Sequence, residues 1–121
     1  MTNEDIIVTT ANYLTGYEIK EVKGLVFGLI VRSRGLGGNI TAGLSALGGG
    51  EIKQYTELLM QTRETAIERM KEEVKKQGGN AVISMGFDSS EIGQSMSEVV
   101  AYGTAVIVAK SGQKAQPVSL S

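Results

Sequence analysis

Residues 51–77 read EIKQYTELLMQTRETAIERMKEEVKKQ, and this stretch decides the fold. At 100° per residue its apolar side chains fall in one stripe, while acids and bases dominate the opposite side. Glu51 favours the positive end of the helix dipole, Lys75 and Lys76 favour the negative end, and two glycines follow. The pattern predicts one long amphipathic helix from Glu51 to Gln77. Its predicted apolar stripe consists of Ile52, Tyr55, Leu59, Ala66, Ile67, Met70 and Val74.

Upstream of this helix, Tyr17 to Val31 is rich in β-branched and aromatic residues, which predicts a strand. Gly24 and Gly28 interrupt it, and a glycine inside a strand indicates a bulge or a close backbone approach. The short apolar run Ile6 to Val8 can add an edge strand.

Downstream, Ala81 to Phe87 and Val99 to Ala109 read as two further strands. The connection between them, Asp88 to Ser97, is too short for a crossover helix, so the two strands should pair antiparallel. We therefore predict an α+β fold, a two-layer strand-helix-strand-strand unit with an antiparallel sheet and one long helix.

The chain of 121 residues has the size of one domain, which we place at residues 1–110, followed by a mobile tail at 111–121 without periodicity. The acidic N-terminus does not resemble a signal peptide, and no apolar run reaches the roughly 18 residues of a membrane span. We expect a cytoplasmic protein. The net charge of −1, with acids and bases interleaved, offers no basic field for nucleic acid.

The chain contains neither cysteine nor histidine. This composition rules out thiol nucleophiles, imidazole acid–base chemistry, Ser-His-Asp triads and zinc sites built from nitrogen or sulfur ligands. No catalytic residue and no cofactor motif can be named. The sequence therefore favours a non-enzymatic protein, and an enzyme would need an active site assembled between chains.

A glycine-rich segment, residues 35–50, precedes the long helix and holds seven glycines. Within it, Gly38 to Ser45 has the spacing of a phosphate-binding P-loop, but Leu44 stands where the phosphate-neutralising lysine belongs. The match therefore fails at the position whose side chain would neutralise the phosphate charge. A tightly folded loop or a subunit contact that needs small residues explains the glycines.

The alternative for this segment is an anion site. A short helix is predicted from Ile40 to Leu47, with Asn39 placed to cap it. Arg32 and Arg34 lie just ahead of the backbone amides at the start of this helix. Amides at a helix start together with two guanidinium groups can bind an anion.

Arg63 lies inside the predicted apolar stripe, between Leu59 and Met70. A buried guanidinium costs several kcal/mol unless it is paired, so we expect a carboxylate or carbonyl partner. Pairing across a subunit boundary, or extension of the side chain to the sheet edge, satisfies this requirement. Binding of a ligand carboxylate or phosphate is the alternative.

Three carboxylates, Asp88, Glu91 and Glu98, surround the connection between the last two strands. Oxygen ligands on a flexible loop suit a hard cation such as calcium or magnesium, although their spacing is not that of an EF-hand. The favoured interpretation is that they are solvated surface acids, and the cation site is the alternative.

Four groups of motifs together resemble the YbjQ-like family (UPF0145) of small bacterial and archaeal proteins, which is sometimes labelled heavy-metal-binding. They are Thr15-Gly-Tyr-Glu with Lys23-Gly-Leu-Val-Phe-Gly; Val31-Arg-Ser-Arg; Gly48-Gly-Gly-Glu51 with Tyr55-Thr-Glu-Leu-Leu and Arg63; and Gly78-Gly-Asn-Ala-Val-Ile followed by Ala101-Tyr-Gly-Thr-Ala-Val. The resemblance implies a dodecin-like subunit that assembles into a ring-shaped homopentamer. Heavy metals prefer soft ligands, and this chain has no cysteine or histidine to offer them.

The leading prediction is a non-enzymatic homo-oligomer with small-molecule or anion sites at its subunit interfaces. The candidate ligand-binding residues are Arg32, Arg34, Asn39 and Arg63. The first alternative is a metal-binding protein that uses the carboxylates of Asp88, Glu91 and Glu98, and the second is an enzyme with an interchain active site.

Overall fold

The structure, a computed structural model, describes residues 2–33, 53–93 and 96–111. In these residues a four-stranded sheet in the order β1-β3-β4-β2 carries one α-helix on one face, with β1 parallel to β3 and the other neighbours antiparallel. Among the described residues, no helix is both long and apolar enough to cross a membrane. The elements are a 3-10 turn Asn3–Asp5, β1 Ile7–Val8, β2 Tyr17–Ser33, α1 Lys53–Lys76, β3 Ala81–Ile92 and β4 Met96–Lys110.

The predicted α+β class, the long helix, the edge strand and the antiparallel pairing of the last two strands are confirmed. The predicted connection from Asp88 to Ser97 is wrong, because most of it is strand. Polar pairs across the ladder support this extension, and the Ser90 hydroxyl donates to Glu98 Oε1 at 2.9 Å. The predicted short helix from Ile40 to Leu47 lies outside the described residues, as does the predicted tail from residue 112 onward.

The main core lies between α1 and the sheet. The helix buries Ala66, Met70 and Val74 against side chains of β2 and β4, among them Val26 and Ile30. Gly28 of β2 lies directly beneath the helix, where an added Cβ would overlap the backbone oxygen of Ala66 and the backbone nitrogen of Met70. The close backbone approach predicted for a glycine of this strand is therefore confirmed at Gly28.

Gly24 marks the other predicted feature of β2, a bulge. The register between β2 and β4 shifts between Val22 and Gly24, and Gly24 has a φ of 130°. A side chain is strained at this angle, so glycine is the residue that fits.

A second, smaller core lies on the opposite face of the sheet, where Ala81, Val106 and Val108 pack with Leu14 and Tyr17. The remainder of this face is uncovered. Five successive outward-facing apolar residues of β2 are each at least 40% exposed, and Tyr102 of β4 lies beside Phe27. We call this surface the open face; it comprises Val22, Leu25, Phe27, Leu29, Val31 and Tyr102.

Replacing Gly28 by alanine should lower the free energy of unfolding by about 1–3 kcal/mol. The new methyl group would overlap backbone atoms of the helix, and backbone atoms cannot move aside by changing a rotamer. Urea unfolding of the variant measures this loss. Lys20→Ala, at an exposed position of the same strand, is the control and should stay within about 0.5 kcal/mol of wild type. Equal midpoints for Gly28→Ala and wild type would contradict the close helix approach.

Candidate ligand-binding groove

A groove of about 820 Å³ lies beside α1, above β3 and β4. Among the described elements, α1 packs on β2 and β4 and leaves the second half of β3 without a helix above it. Within the described part of the chain, the groove therefore has a floor of strands and one wall of helix. We call it the β3-side groove; its lining is Thr56, Leu59, Met60, Arg63, Phe87, Asp88, Ser89, Ser90, Glu91, Ser97, Glu98 and Val99.

Arg63 extends from the helix wall over the floor of this groove. Its guanidinium carbon lies 5.0 Å from the centroid of the Phe87 ring, a cation–π contact. The five N–H donors of a guanidinium lie in its plane. In the described residues no carboxylate forms an ion pair with Arg63. Among these residues, therefore, no carboxylate competes with an anion for this guanidinium.

The structure corrects the expectation that Arg63 lies inside the buried stripe of the helix. The buried line is an i, i+4 series, Thr62, Ala66, Met70 and Val74, and Arg63 is exposed on the flank beside it. The expected carboxylate or carbonyl partner is replaced by an aromatic ring. Because the guanidinium is not buried, it does not require an ionic partner.

Arg32, at the end of β2, lies on the helix face of the sheet but on the other side of β4 from Phe87. Its Nε donates to the Thr62 hydroxyl at 2.9 Å, and this hydroxyl donates to the Leu58 carbonyl at 2.9 Å. One guanidinium donor is therefore used to hold the helix on β2. Arg34 and Asn39 lie outside the described residues, so of the four predicted anion ligands the structure places Arg32 and Arg63.

The three carboxylates predicted as metal ligands are divided between the two faces of the sheet. Side chains alternate along a strand, so Asp88 and Glu98 belong to the face opposite the helix and Glu91 to the helix face. Throughout residues 2–33, 53–93 and 96–111, no three Asp or Glu side chains come together to hold a metal ion. The donors of these three residues are carboxylate oxygens, which do not fit a heavy metal.

Phe87 is the groove residue that the sequence did not reveal. It ends the predicted strand Ala81 to Phe87, and the sequence predicts no role for it beyond that strand. Its contact with Arg63 depends on α1 passing over β2 and β4, so that the flank of the helix reaches β3. The one signal in the sequence was Arg63, because a cation within a predicted apolar stripe needs a partner.

A second groove, of about 620 Å³, runs between α1 and the outer edge of β2. Two helix side chains reach this edge: Arg69 Nη1 donates to the Leu29 carbonyl at 2.7 Å, and Gln77 Nε2 donates to the Leu25 carbonyl at 3.3 Å. Glu72 lines the same groove, and a hydrogen bond from Lys75 lowers the pKa of its carboxyl. We call this the β2-edge groove.

Comparison with known families gives a match over most of the chain. A family model described as "Putative heavy-metal-binding" covers residues 6–109. A UPF0145 protein of Methanocella arvoryzae is 55% identical over 117 residues, which are 97% of this chain and 98% of the relative. A UPF0145 protein of Sulfurisphaera tokodaii is 60% identical over 107 residues, 88% of this chain and 94% of the relative.

Among solved structures, a protein of unknown function from Pediococcus pentosaceus, assigned to the DUF74 family, has a similar fold. The TM-score is 0.57 at 16% sequence identity, and the match covers 86% of this chain and 98% of the other. At this identity the likeness concerns the fold alone.

The stacking of Arg63 on Phe87 can be measured by a double-mutant cycle with Arg63→Gln and Phe87→Leu. We expect a coupling energy of about 0.5–1 kcal/mol in urea unfolding, the range for a cation–π contact near solvent. The matched control is a cycle of Arg69→Gln with Phe87→Leu, which should show no coupling because Arg69 reaches the opposite edge of the sheet. A coupling energy of zero for the first pair would contradict the contact.

Proposed function

The chain belongs to the UPF0145 (YbjQ-like) family, and from this premise we propose that it is a non-enzymatic homo-oligomer that binds a small anionic ligand in the β3-side groove. The proposed subunit is dodecin-like, and the proposed assembly is a ring, a pentamer by family resemblance. The observation that carries the ligand site is the guanidinium of Arg63, which lines the groove over the Phe87 ring and has no ion pair with a carboxylate among the described residues.

The chemistry of the groove favours a ligand with one negative charge and an apolar body. A planar carboxylate matches the paired N–H donors of a guanidinium. Leu59, Met60 and Val99 offer apolar contact, and the hydroxyls of Ser89 and Ser97 offer hydrogen bonds. Glu91, the one of the three carboxylates on the helix face, also lines the groove and disfavours a multiply charged anion. A monocarboxylate therefore fits better than a phosphate.

Two surfaces support association of subunits. The open face presents a row of apolar side chains along β2, and such continuous patches are typical of interaction sites. Leu59 and Met60, in the wall of the β3-side groove, are 48% and 58% exposed. A neighbouring subunit that covers these side chains would place the groove at an interface.

The absence of cysteine and histidine from the whole sequence leaves the groove without a thiol or an imidazole. The polar groups that line it, a guanidinium, hydroxyls and carboxylates, suit binding. An enzyme with an interchain active site is the remaining alternative, and its nucleophile and base would have to come from hydroxyl and carboxylate groups.

Ligand binding can be tested with benzoate, a monocarboxylate with an apolar body, and inorganic phosphate as the comparison anion. We expect saturable shifts of the Arg63 Nε–H signal in 15N-edited NMR with benzoate, and weaker binding of phosphate. Arg63→Ala should weaken benzoate binding about 10- to 100-fold, the range for losing a hydrogen bond to a charged group.

Lys76→Ala is the matched control for this titration, because it removes one positive charge at the far end of the same helix. It should bind benzoate as wild type does. Equal weakening by both substitutions would indicate a general charge effect and contradict a site at Arg63, and so would the absence of benzoate-dependent shifts in wild type.

A second candidate function, binding of a hard cation, has one geometric observation in its favour. Asp88 and Glu98 are diagonal neighbours on one face of the paired strands β3 and β4. Two carboxylates supply only part of the six to eight oxygen ligands that calcium takes, so we expect dissociation constants no tighter than about millimolar.

Calorimetry with calcium, magnesium, manganese and zinc tests this second candidate. Asp88→Asn and Glu98→Gln should each abolish the heat of binding, while Glu91→Gln, on the other face, should retain it. No heat at millimolar metal would reject the candidate, and equal losses in all three variants would contradict the division between faces.

A further inference from the structure

Both outer edges of the sheet carry backbone groups without a partner strand in the described residues. At one edge β2 pairs with β4 on its inner side only. At the other edge, β1 and the segment after it bond to β3 as far as Met85, whose amide donates to the Thr9 carbonyl at 3.0 Å. From Phe87 to Ile92 the outer side of β3 has no neighbouring strand in the described part of the chain.

Hydrogen bonds from side chains identify which backbone groups point outward. The Leu25 carbonyl accepts a hydrogen bond from the Gln77 side chain, and the Leu29 carbonyl accepts one from Arg69. Both carbonyls therefore face away from β4. Strand alternation gives the intervening residue, Phe27, the same orientation. On β3 the Ser89 amide donates to the Asp88 carboxylate at 2.9 Å and also faces away from β4.

We propose that the outer edge of β3 in one copy pairs with the outer edge of β2 in the next copy, extending the sheet from subunit to subunit. This inference rests on the association proposed above and specifies its interface. In the described residues, side chains bond to some of these outward groups: Gln77 and Arg69 donate to the Leu25 and Leu29 carbonyls of β2, and Asp88 accepts from the Ser89 amide of β3. The capped groups of β2 are carbonyl acceptors and that of β3 is an N–H donor, so the two edges are complementary to each other.

The direction of the strands fits a head-to-tail contact. β2 and β3 both run antiparallel to β4, so they are parallel to each other. A copy that continues the sheet with its helix on the same face must bring its β3 parallel to the neighbouring β2. Such a contact joins two different surfaces, and contacts of this type close into rings when the rotation allows.

The same pairing completes the ligand groove. It places the β2-edge groove of one copy beside the β3-side groove of the next, so that a second helix becomes the missing wall. Glu72 and Glu73 on that wall are already paired with Lys75 and Lys76 of their own helix. Their charge is thus offset, and the added wall is compatible with an anion at Arg63.

Ser89→Pro tests the edge contact, with Ser89→Ala as its matched control. Proline removes an outward N–H and is tolerated on a strand edge, whereas alanine removes only the hydroxyl. We expect native mass spectrometry to show a multimer for wild type and Ser89→Ala and a monomer for Ser89→Pro, with circular dichroism unchanged. A Ser89→Pro protein that keeps the multimeric mass would overturn the inference.

Amide hydrogen exchange on the wild-type protein gives a second measurement that does not depend on a variant folding. The outward amides of Phe27 and Leu29 should exchange at least 100-fold more slowly than in an unpaired edge. Rapid exchange in a multimer would overturn the edge pairing while leaving the proposed association in place. A monomeric wild type would overturn both, whereas the benzoate titration tests Arg63 separately, because Arg63 and Phe87 belong to the same chain.

Discussion

The close contact between α1 and Gly28 is the constraint on which the rest of the structure depends. No side chain separates the helix backbone from the strand at this point, and the neighbouring Ala66, Ala101 and Ala105 are small and fully buried. The helix therefore lies deep over β2 and β4. From this position its two flanks reach opposite parts of the sheet, Arg69 to the edge of β2 and Arg63 to β3. The candidate groove is the space that this placement leaves above β3.

One helix of 24 residues cannot cover a sheet with β-strands of 12 to 17 residues on both faces. The structure consequently has a main core that the helix covers and a smaller core beneath the segment before β2. The open face of apolar side chains lies beside the smaller core. Exposed edges and apolar faces are liabilities in a solitary protein. Here side chains of the helix and Asp88 bond to three of the outward backbone groups, the Leu25 and Leu29 carbonyls and the Ser89 amide.

Local signals in the sequence were sufficient for the helix and strands, because periodicity and glycine placement depend on neighbours along the chain. Gly28 is the clearest case, since a glycine within an apolar strand indicates close approach whatever packs on it. The position of Arg63 could not be obtained in this way. Seven apolar residues define a broad stripe on the helix. Which side chains of this stripe are buried depends on how the helix lies over Gly28. The faces of Asp88, Glu91 and Glu98 likewise depend on strands that extend beyond the apolar signal.

The choice of arginine at position 63 has a physical consequence for the groove. A guanidinium can lie flat on an aromatic ring and still present paired donors in its plane, whereas an ammonium is a compact charge that lacks this fork. Phe87 is held by β3 and packs against the main core, so the surface beneath the guanidinium is fixed by the fold. A site whose cation is oriented by packing loses less conformational entropy on binding. The contact between α1 and Gly28 fixes the helix on the sheet. It thereby also fixes the position of the Arg63 charge that the groove offers to a ligand.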